Sequence, residues 1–338
     1  MKSILQMRGV QHRYNGRPVL EIDHVDFKTG SITGLAGPNG SGKTTMLKLL
    51  SLTEACRTGT VYFREKPAAP FINNNRHRVT LLPQEPYLLK RSVFENIVYG
   101  LKIRGEKNNL NELVAMALDL VGLHESFAGR QWHELSGGEA HRVALAARLA
   151  LKPACLLLDE PTASVDMESA RNIRKAVLMA RKEWGTTLII ASHHRAWLND
   201  ICDRIIYLYN GRILDCSFEN ILLGPWEQRN NNQFVKTLAD DQEIFVSRPP
   251  YPDASSVIDP KHLKVSAATP GKNEKSLIGT VTGIFIDNHF SGPRVHVTCG
   301  DHRFIASTEN DIFPMDSCRP GRKVTLIYRS EDIIWLPQ

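Results

Sequence analysis

Residues 37–44 read Gly37-Pro38-Asn39-Gly40-Ser41-Gly42-Lys43-Thr44, a glycine-rich octapeptide that ends on a cation and a hydroxyl. Glycines at these positions let the backbone turn successive N–H groups inward around phosphate oxygens. Lys43 then brings a positive charge to the β- and γ-phosphates, the Thr44 hydroxyl is placed to ligate Mg2+, and Thr45 is the next residue in reach. The flanks have the context this chemistry needs. Residues 31–36 read as a buried strand leading in, and residues 45–50 as a helix leading out. The ligand implied is a nucleoside triphosphate.

Two later segments extend that chemistry. The run Ala154-Cys155-Leu156-Leu157-Leu158-Asp159-Glu160 is an apolar strand that ends in two carboxylates. Asp159 would hold Mg2+ through water, and Glu160 would sit against the γ-phosphate and polarise the attacking water. Upstream, Leu135-Ser136-Gly137-Gly138-Glu139 supplies a hydroxyl, two small residues and a helix start, which together make an anion-binding N-terminus.

In this order the residues resemble the ATP-binding cassette (ABC) family, the nucleotide-hydrolysing subunits of ABC transporters, over roughly residues 4 to 225. The resemblance implies an α/β fold: a P-loop ABC ATPase domain, with a helical subdomain at about 85–135, binding ATP and Mg2+. It implies that Ser136, Gly137, Gly138 and Glu139 of one protomer meet the ATP held by the phosphate loop of another, in a homodimer with two ATP at the interface. It further assigns Tyr14 to stacking on adenine, Gln84 to Mg2+ and the attacking water, Asp166 to communication across the dimer, and His193 to the γ-phosphate. The catalytic set is thus Glu160, His193, Gln84 and Lys43, and the metal set Thr44, Gln84 and Asp159. The sequence departs from the family pattern at His194, where aspartate is common, and at His141, where glutamine usually stands. His193 is taken as the switch histidine from its spacing to the strand Thr187-Leu188-Ile189-Ile190-Ala191.

The elements that must position these residues are legible as periodicities. Leu110, Leu113, Val114, Ala117, Leu118 and Val121 share one helical face between Gln84 and Leu135. In the family this subdomain receives a coupling helix of the membrane permease, and the stretch from Tyr87 to Ile97 is the expected contact. Residues 205–214 read as a hairpin turning at Asn210-Gly211. Composition changes at Pro225 to Asn232 and again at Arg248-Pro249-Pro250-Tyr251-Pro252. The expected domains are therefore 1–232 and 233–338. Short strands at about 277–286, 294–299, 302–307, 323–328 and 332–336 predict a small all-β, OB-like barrel. Their order resembles the TOBE domain appended to importers of molybdate, tungstate, sulfate, sugars and polyamines. If that barrel bound an oxyanion, Lys272, Lys275 and Ser276 would be the candidates; a purely structural dimerisation barrel is the other reading.

Composition bounds the rest. The chain has 338 residues, 42% apolar and 23% charged, enough for two or three domains with their own cores. Its best apolar stretch, near Val143 to Leu158, is broken by Arg148, Lys152 and Pro153, and falls short of the ~18 residues of a membrane span. The first eight residues lack the features of a secretory signal. Six scattered cysteines with no C-x-x-C pair predict reduced thiols and no structural metal. The net charge of +6 comes from short groups such as Arg76-His77-Arg78 and Lys90-Arg91, so no nucleic-acid partner is expected.

The stretches Gln84 to Asn96 and Asp159 to Asp166, with Ser192 before His193, resemble the ATPase subunits of tungstate importers, with molybdate the nearest rival. The expected protein is an importer ATPase on the cytoplasmic face of the inner membrane. It would work with permease subunits and, indirectly, an extracytoplasmic solute-binding protein. A soluble ABC ATPase of nucleic-acid repair or translation is the alternative class, although neither a second cassette nor a coiled-coil or zinc insertion is visible.

Overall fold

Strand and helix periodicities alternate through the first 213 residues, and this alternation folds into one compact unit, Met1–Ile213, followed by a second, Leu214–Gln338. A computed structural model describes residues 2–70, 78–163, 165–214, 219–229, 233–266, 270–271, 273–286, 293–308 and 318–336. Arg76, His77, Ser164, Cys216 and Lys272 lie outside the described residues.

The first unit opens with β1 (Ser3–Tyr14) and β2 (Arg17–Lys28), an antiparallel pair. Next come β3 (Ile32–Ala36), α1 (Lys43–Leu50), β4 (Thr58–Phe63), β5 (Lys66–Ala68) and β6 (Val79–Leu82). The helical segment supplies α2 (Val93–Ile103), α3 (Leu110–Leu120) and α4 (Gly137–Leu149). The chain then returns through β7 (Cys155–Asp159), α5 (Met167–Trp184), β8 (Thr187–Ala191), α6 (Arg195–Ile201), β9 (Arg204–Tyr209) and β10 (Arg212–Leu214). Two sheets result, one ordered β2-β1-β4-β5 and the other β10-β9-β3-β8-β7-β6.

Strands β3, β6, β7, β8 and β9 carry apolar residues at almost every position, which suits a parallel sheet covered on both faces. Successive side chains go to different cores. Leu156, Leu158, Leu188 and Ile190 join α2 to α5 on one face, whereas Cys155, Leu157, Ile189 and Ala191 pack with α1 and the antiparallel sheet on the other. Because the pairing is parallel, the carboxyl ends of the strands lie together: Leu35 and Asp159 are both in register with Ala191, and Leu82 with Leu158. Whatever follows β3, β6, β7 and β8 must therefore meet at one edge of the sheet.

The helices begin where their sequences say they should. Ser92 with Glu95, and Ser136 with Glu139, form capping boxes on α2 and α4, and the Asp166 side chain accepts a 2.7 Å bond from Ser169 N at the start of α5. Helix α3 lies where the apolar stripe predicts it. Val114, Ala117, Leu118 and Val121 are buried, with Leu110 and Leu113 packed at the margin. Each such aliphatic side chain contributes about 1.5–3 kcal/mol on burial, so this face and not intrinsic propensity holds an 11-residue helix in place. The hairpin of β9 and β10 turns at Asn210 and Gly211, with φ of 45° and 78°, as the Asn-Gly pair implies.

In the second unit the elements are β11 (Ile221–Leu222), β12 (Glu227–Gln228), β13 (Phe234–Thr237), β14 (Glu243–Val246), β15 (Ser256–Ile258) and β16 (Lys264–Ser266). They are followed by β17 (Lys275–Ile286), β18 (Pro293–Cys299), β19 (His302–Thr308), β20 (Lys323–Tyr328) and β21 (Ile333–Trp335). Strands β16, β19, β18, β17 and β20 close into a barrel around Val265, Leu277, Val281, Val295, Val297, Phe304, Ala306 and Leu326. Closure depends on β16, which pairs parallel with β19 and antiparallel with β20. A Cβ on Gly279 would fall 2.3 Å from Val297 Cγ1, so the close approach of β17 and β18 needs glycine there. β21, expected in the barrel, instead completes a small sheet ordered β11-β15-β21.

The division at 213/214 comes earlier than the 232/233 boundary suggested by composition. The reason is pairing: β11 is in register with β15, and β12 with β13, so residues before 232 already belong to the second unit's sheets. The composition change near Pro225 marks turns inside that unit. Five cysteines among the described residues, Cys56, Cys155, Cys202, Cys299 and Cys318, are free thiols.

Candidate functional site

The loop after β3 turns sharply into α1, with φ of 79° at Gly40 and 103° at Gly42. At Gly37 a Cβ would stand 2.2 Å from Leu208 O, a backbone atom of the neighbouring strand β9. Since that strand is pinned by its pairing with β3, Gly37→Ala is expected to cost about 1–3 kcal/mol by overpacking, measurable by urea denaturation. The Lys43 Nζ donates to Gly37 O at 2.9 Å and Pro38 O at 3.0 Å, which draws the ammonium across the loop. Burial lowers its pKa, while the Glu160 and Asp159 carboxylates oppose the shift.

A cleft of about 660 Å3 opens over this loop. It is lined by Tyr14, by Gly37, Pro38, Asn39, Gly40, Ser41, Gly42, Lys43, Thr44 and Thr45, and by Gln84, Asp159, Glu160 and His193. Residues from five separate stretches of sequence thus share one cleft: four lie at or just after the ends of β3, β6, β7 and β8, as the parallel register demands, and Tyr14 comes from the end of β1 in the antiparallel sheet. Ser136, Gly137, Gly138, Glu139 and Asp166 do not line the cleft. Ser136 and Gly137 are solvent-exposed at the start of α4, and a Cβ on Gly137 would meet nothing within 4 Å, so this helix start presents an open face. Asp166 is exposed and caps α5; the bond from Ser169 N holds its carboxyl below the usual range.

Glu160 is the most constrained group of the site. It is 6% exposed and takes a left-handed φ of 47°, which turns its side chain back toward β8. Oε2 accepts from Ser192 Oγ at 3.1 Å, Oε1 accepts from His193 N at 3.0 Å, and His193 Nδ1 lies 2.9 Å from Oε2. One carboxylate is therefore gripped by two adjacent residues, while its neighbour His193 remains exposed toward the cleft. His194 does not line the cleft; its N–H donates to Ser192 Oγ at 3.1 Å. His141, the other departure from the family pattern, is buried in α4, and burial followed by the Arg148 charge lowers its pKa.

Asp159 carries the test of a metal. It is 2% exposed, and its buried Oδ1 has no hydrogen-bond partner. Burial raises its pKa, the Thr44 hydroxyl and Lys43 pull the other way, and Glu160 raises it further. An unsatisfied carboxylate oxygen beside a hydroxyl, in a pocket that penalises negative charge, fits a hard divalent cation with oxygen ligands. The donor set Thr44, Gln84 and Asp159 thus fits Mg2+.

Sequence reasoning did not place Val19, which lines the cleft beside Tyr14, or Ser192, whose hydroxyl fixes Glu160. Val19 carries no local signal, being an ordinary strand valine. Ser192 could have been found from its position between the strand and the switch histidine.

The strand order and this cleft define a phosphate-loop nucleoside triphosphatase. The ABC transporter family profile matches residues 20–163. The tungstate uptake system ATP-binding protein TupC of Peptoclostridium acidaminophilum is 38% identical over 210 residues, 62% of this chain and 96% of that protein. The spermidine/putrescine import ATP-binding protein PotA of Mesoplasma florum is 31% identical over 81% of this chain and 77% of that protein. Among solved structures, cbiO1 of Clostridium perfringens, part of the ABC transporter complex cbiONQ, has a TM-score of 0.56 at 28% identity, covering 63% of this chain and 88% of that one. The dimeric cassette MJ0796 bound to ADP and Pi has a TM-score of 0.57 at 24% identity, covering 62% of this chain and 96% of that one, a likeness of fold. The chain belongs to the ABC transporter family, and its activity is that family's ATP hydrolysis.

Proposed function

We propose that this chain is the ATP-hydrolysing subunit of an importer that takes up an oxyanion, tungstate, through a separate membrane permease. The observation that carries the reading is the 38% identity to TupC over 96% of its length. A second TupC, from Campylobacter jejuni, is 32% identical over 64% of both chains. Polyamine uptake is the second reading, because the PotA relative extends over 81% of this chain. Molybdate, sulfate or another solute is the remaining rival.

At the site, Tyr14 stacks on the adenine and the backbone amides of residues 37–45 wrap the phosphates. Lys43 balances charge on the β- and γ-phosphates. Glu160, held by Ser192 and His193, orients the attacking water and accepts its proton, with Gln84 and the exposed His193 on the same wall of the cleft. Mg2+, held by Thr44, Gln84 and Asp159, supplies charge neutralisation at the phosphate oxygens when bound. The open helix start at Ser136, Gly137, Gly138 and Glu139 is completed from another copy: two chains close head to tail on two ATP, and Asp166 faces the partner.

Coupling to the permease is supported by a second feature of the first unit. A groove of about 790 Å3, lined by Pro83, Tyr87, Leu89, Asn96, Tyr99, Ile103 and Arg104 among others, overlaps the expected Tyr87 to Ile97 contact at Tyr87, Leu89 and Asn96. Tyr87, Tyr99 and Ile103 are exposed there. No helix among the described residues is long and apolar enough to cross a membrane, so the permease is a separate subunit in this reading, with this chain at the cytoplasmic face of the inner membrane. An extracytoplasmic binding protein would deliver the solute. The barrel of the second unit suits a TOBE-like role in dimerisation. Of its proposed oxyanion ligands, Ser276 is exposed and Lys275 lies over the Phe245 ring at 4.5 Å, while Lys272 is outside the described residues.

The test is cellular tungsten, molybdenum and spermidine in a strain lacking the gene, complemented by the native sequence or by Glu160→Gln. Selective tungsten loss, restored only by the native sequence, is the expected result. Loss of both metals would mean a shared oxyanion importer, and loss of spermidine uptake would establish the second reading. No change in any of them would move the chain to another solute or to the soluble-ATPase class.

A further inference from the structure

Tyr14, on the wall of the cleft, belongs to a side-chain cluster whose other members, Glu54 and His12, have no part in the proposed reaction. Tyr14, at the end of β1, has its hydroxyl donating to Glu54 Oε2 at 2.7 Å. Glu54 sits just beyond the end of α1, forty residues along the chain, and is 29% exposed. Behind it lies His12, 3% exposed, whose Nε2 is 3.0 Å from Glu54 Oε1. That approach is a close contact without hydrogen-bond geometry, since neither ring nitrogen of His12 has a hydrogen-bond partner. The same imidazole packs edge-on against the Tyr14 ring, with centroids 4.8 Å apart and planes at 81°.

Each of these contacts has a consequence for the tyrosine. Tyr14 is 38% exposed, and an exposed aromatic ring with nothing to hold it would lose rotamer freedom each time a base stacked on it. Here the ring is held twice: its hydroxyl by a carboxylate and the ring itself by perpendicular packing against a buried imidazole. Burial, then the Glu54 carboxylate, raises the Tyr14 phenol above its ordinary pKa, while a hydrogen bond with the Thr45 side chain pulls the other way. Glu54 in turn is carried by the segment that follows α1, the helix whose N-terminus receives the phosphates.

We propose that Glu54, backed by His12, is a positioning residue that presets the Tyr14 ring as a platform for the nucleotide base and ties that platform to the far end of the phosphate-loop helix. The proposal rests on the reading of the cleft as an ATP site and of Tyr14 as its base-stacking residue. Its signature is selectivity for the base: loss of the clamp weakens binding of a ligand that has a base and leaves a bare triphosphate unaffected.

The experiment is calorimetric binding of Mg·ATP and of magnesium tripolyphosphate to the full chain, as wild type, Glu54→Ala, Glu54→Gln and Tyr14→Phe. Tyr14→Phe keeps the ring and removes only the anchored hydroxyl, so it remains informative if Glu54→Ala folds poorly. Glu54→Ala and Tyr14→Phe are expected to weaken ATP by about 2- to 10-fold, the cost of ordering one side chain, with tripolyphosphate unchanged. Glu54→Gln, whose amide oxygen can still accept from the phenol, should bind ATP as the wild type does. Combining Glu54→Ala with Tyr14→Phe should add nothing to either alone, as for two halves of one contact. Equal weakening of both ligands would overturn the proposal, because Glu54 would then act through the phosphate loop. Unchanged ATP binding in both single variants would overturn it too. A wild type that binds neither ligand would reject the ATP-site reading itself, whereas one that binds both equally would reject only the base platform.

Discussion

Glu160→Gln is expected to lower kcat for ATP hydrolysis by ~10²- to 10⁴-fold while leaving ATP affinity close to that of the wild type. The substitution keeps the size of the side chain and can preserve the bond from Ser192 Oγ to Oε2 or the one from His193 N to Oε1, so the local backbone should hold. An amide, however, cannot take a proton from the attacking water. Because nucleotide is bound and not consumed, the variant should also accumulate as an ATP-bound dimer, which size-exclusion chromatography with light scattering reads directly. Wild-type turnover in Glu160→Gln would remove this residue from its role and turn attention to His193.

Lys43→Ala is expected to act on binding and not on turnover alone. The ammonium is held by Gly37 O and Pro38 O, in a pocket that already contains the Asp159 and Glu160 carboxylates. Its removal leaves two acids facing the place where phosphate must sit, and it takes away the loop's internal clasp. A hydrogen bond to a charged group is worth about 1.5–3 kcal/mol, so ATP affinity should fall by roughly 10- to 150-fold in equilibrium titration. Tripolyphosphate should weaken in parallel, the opposite of the pattern expected for Glu54→Ala. Unchanged affinity would count against the phosphate-loop reading.

The two variants separate what the cleft does by what each carboxylate or cation touches. Asp159 and Glu160 are neighbours in sequence, yet their environments differ. Asp159 is left with one buried oxygen that has no hydrogen-bond partner, whereas the side-chain hydrogen bonds of Glu160 come from Ser192 and His193, just after β8. In the proposed reading the first would meet a cation and the second would hold a water. The Ser136 helix start is exposed and does not line the cleft of its own chain, which is the arrangement the proposed completion by a second copy needs.

Much of this was legible from residues alone, and unevenly so. The octapeptide at 37–44, the apolar strand ending in Asp159 and Glu160, the Asn210-Gly211 turn and the stripe of α3 are each determined by neighbours a few positions away. Glycine tolerates positive φ, a capping serine satisfies the N–H three residues on, and an amphipathic period shows which face is buried, so type and approximate bounds can be read directly. The strands from 275 to 328 were legible for the same reason. Tertiary structure decided what meets what. The parallel register brings Gln84, Glu160 and His193 to the loop at 37–44, and it makes His193, not His194, the residue that faces the cleft. The pairing of β11 and β12 moves the division between the units to 213/214, and β16 closes the barrel by pairing on both sides. The contact of Tyr14 with Glu54 has no sequence signal either, because it joins a strand end to a helix end through a shared rim. Local chemistry is set by short-range sterics and capping, whereas register and long-range contacts are set by how two cores pack on opposite faces of one sheet, which no short window of sequence contains.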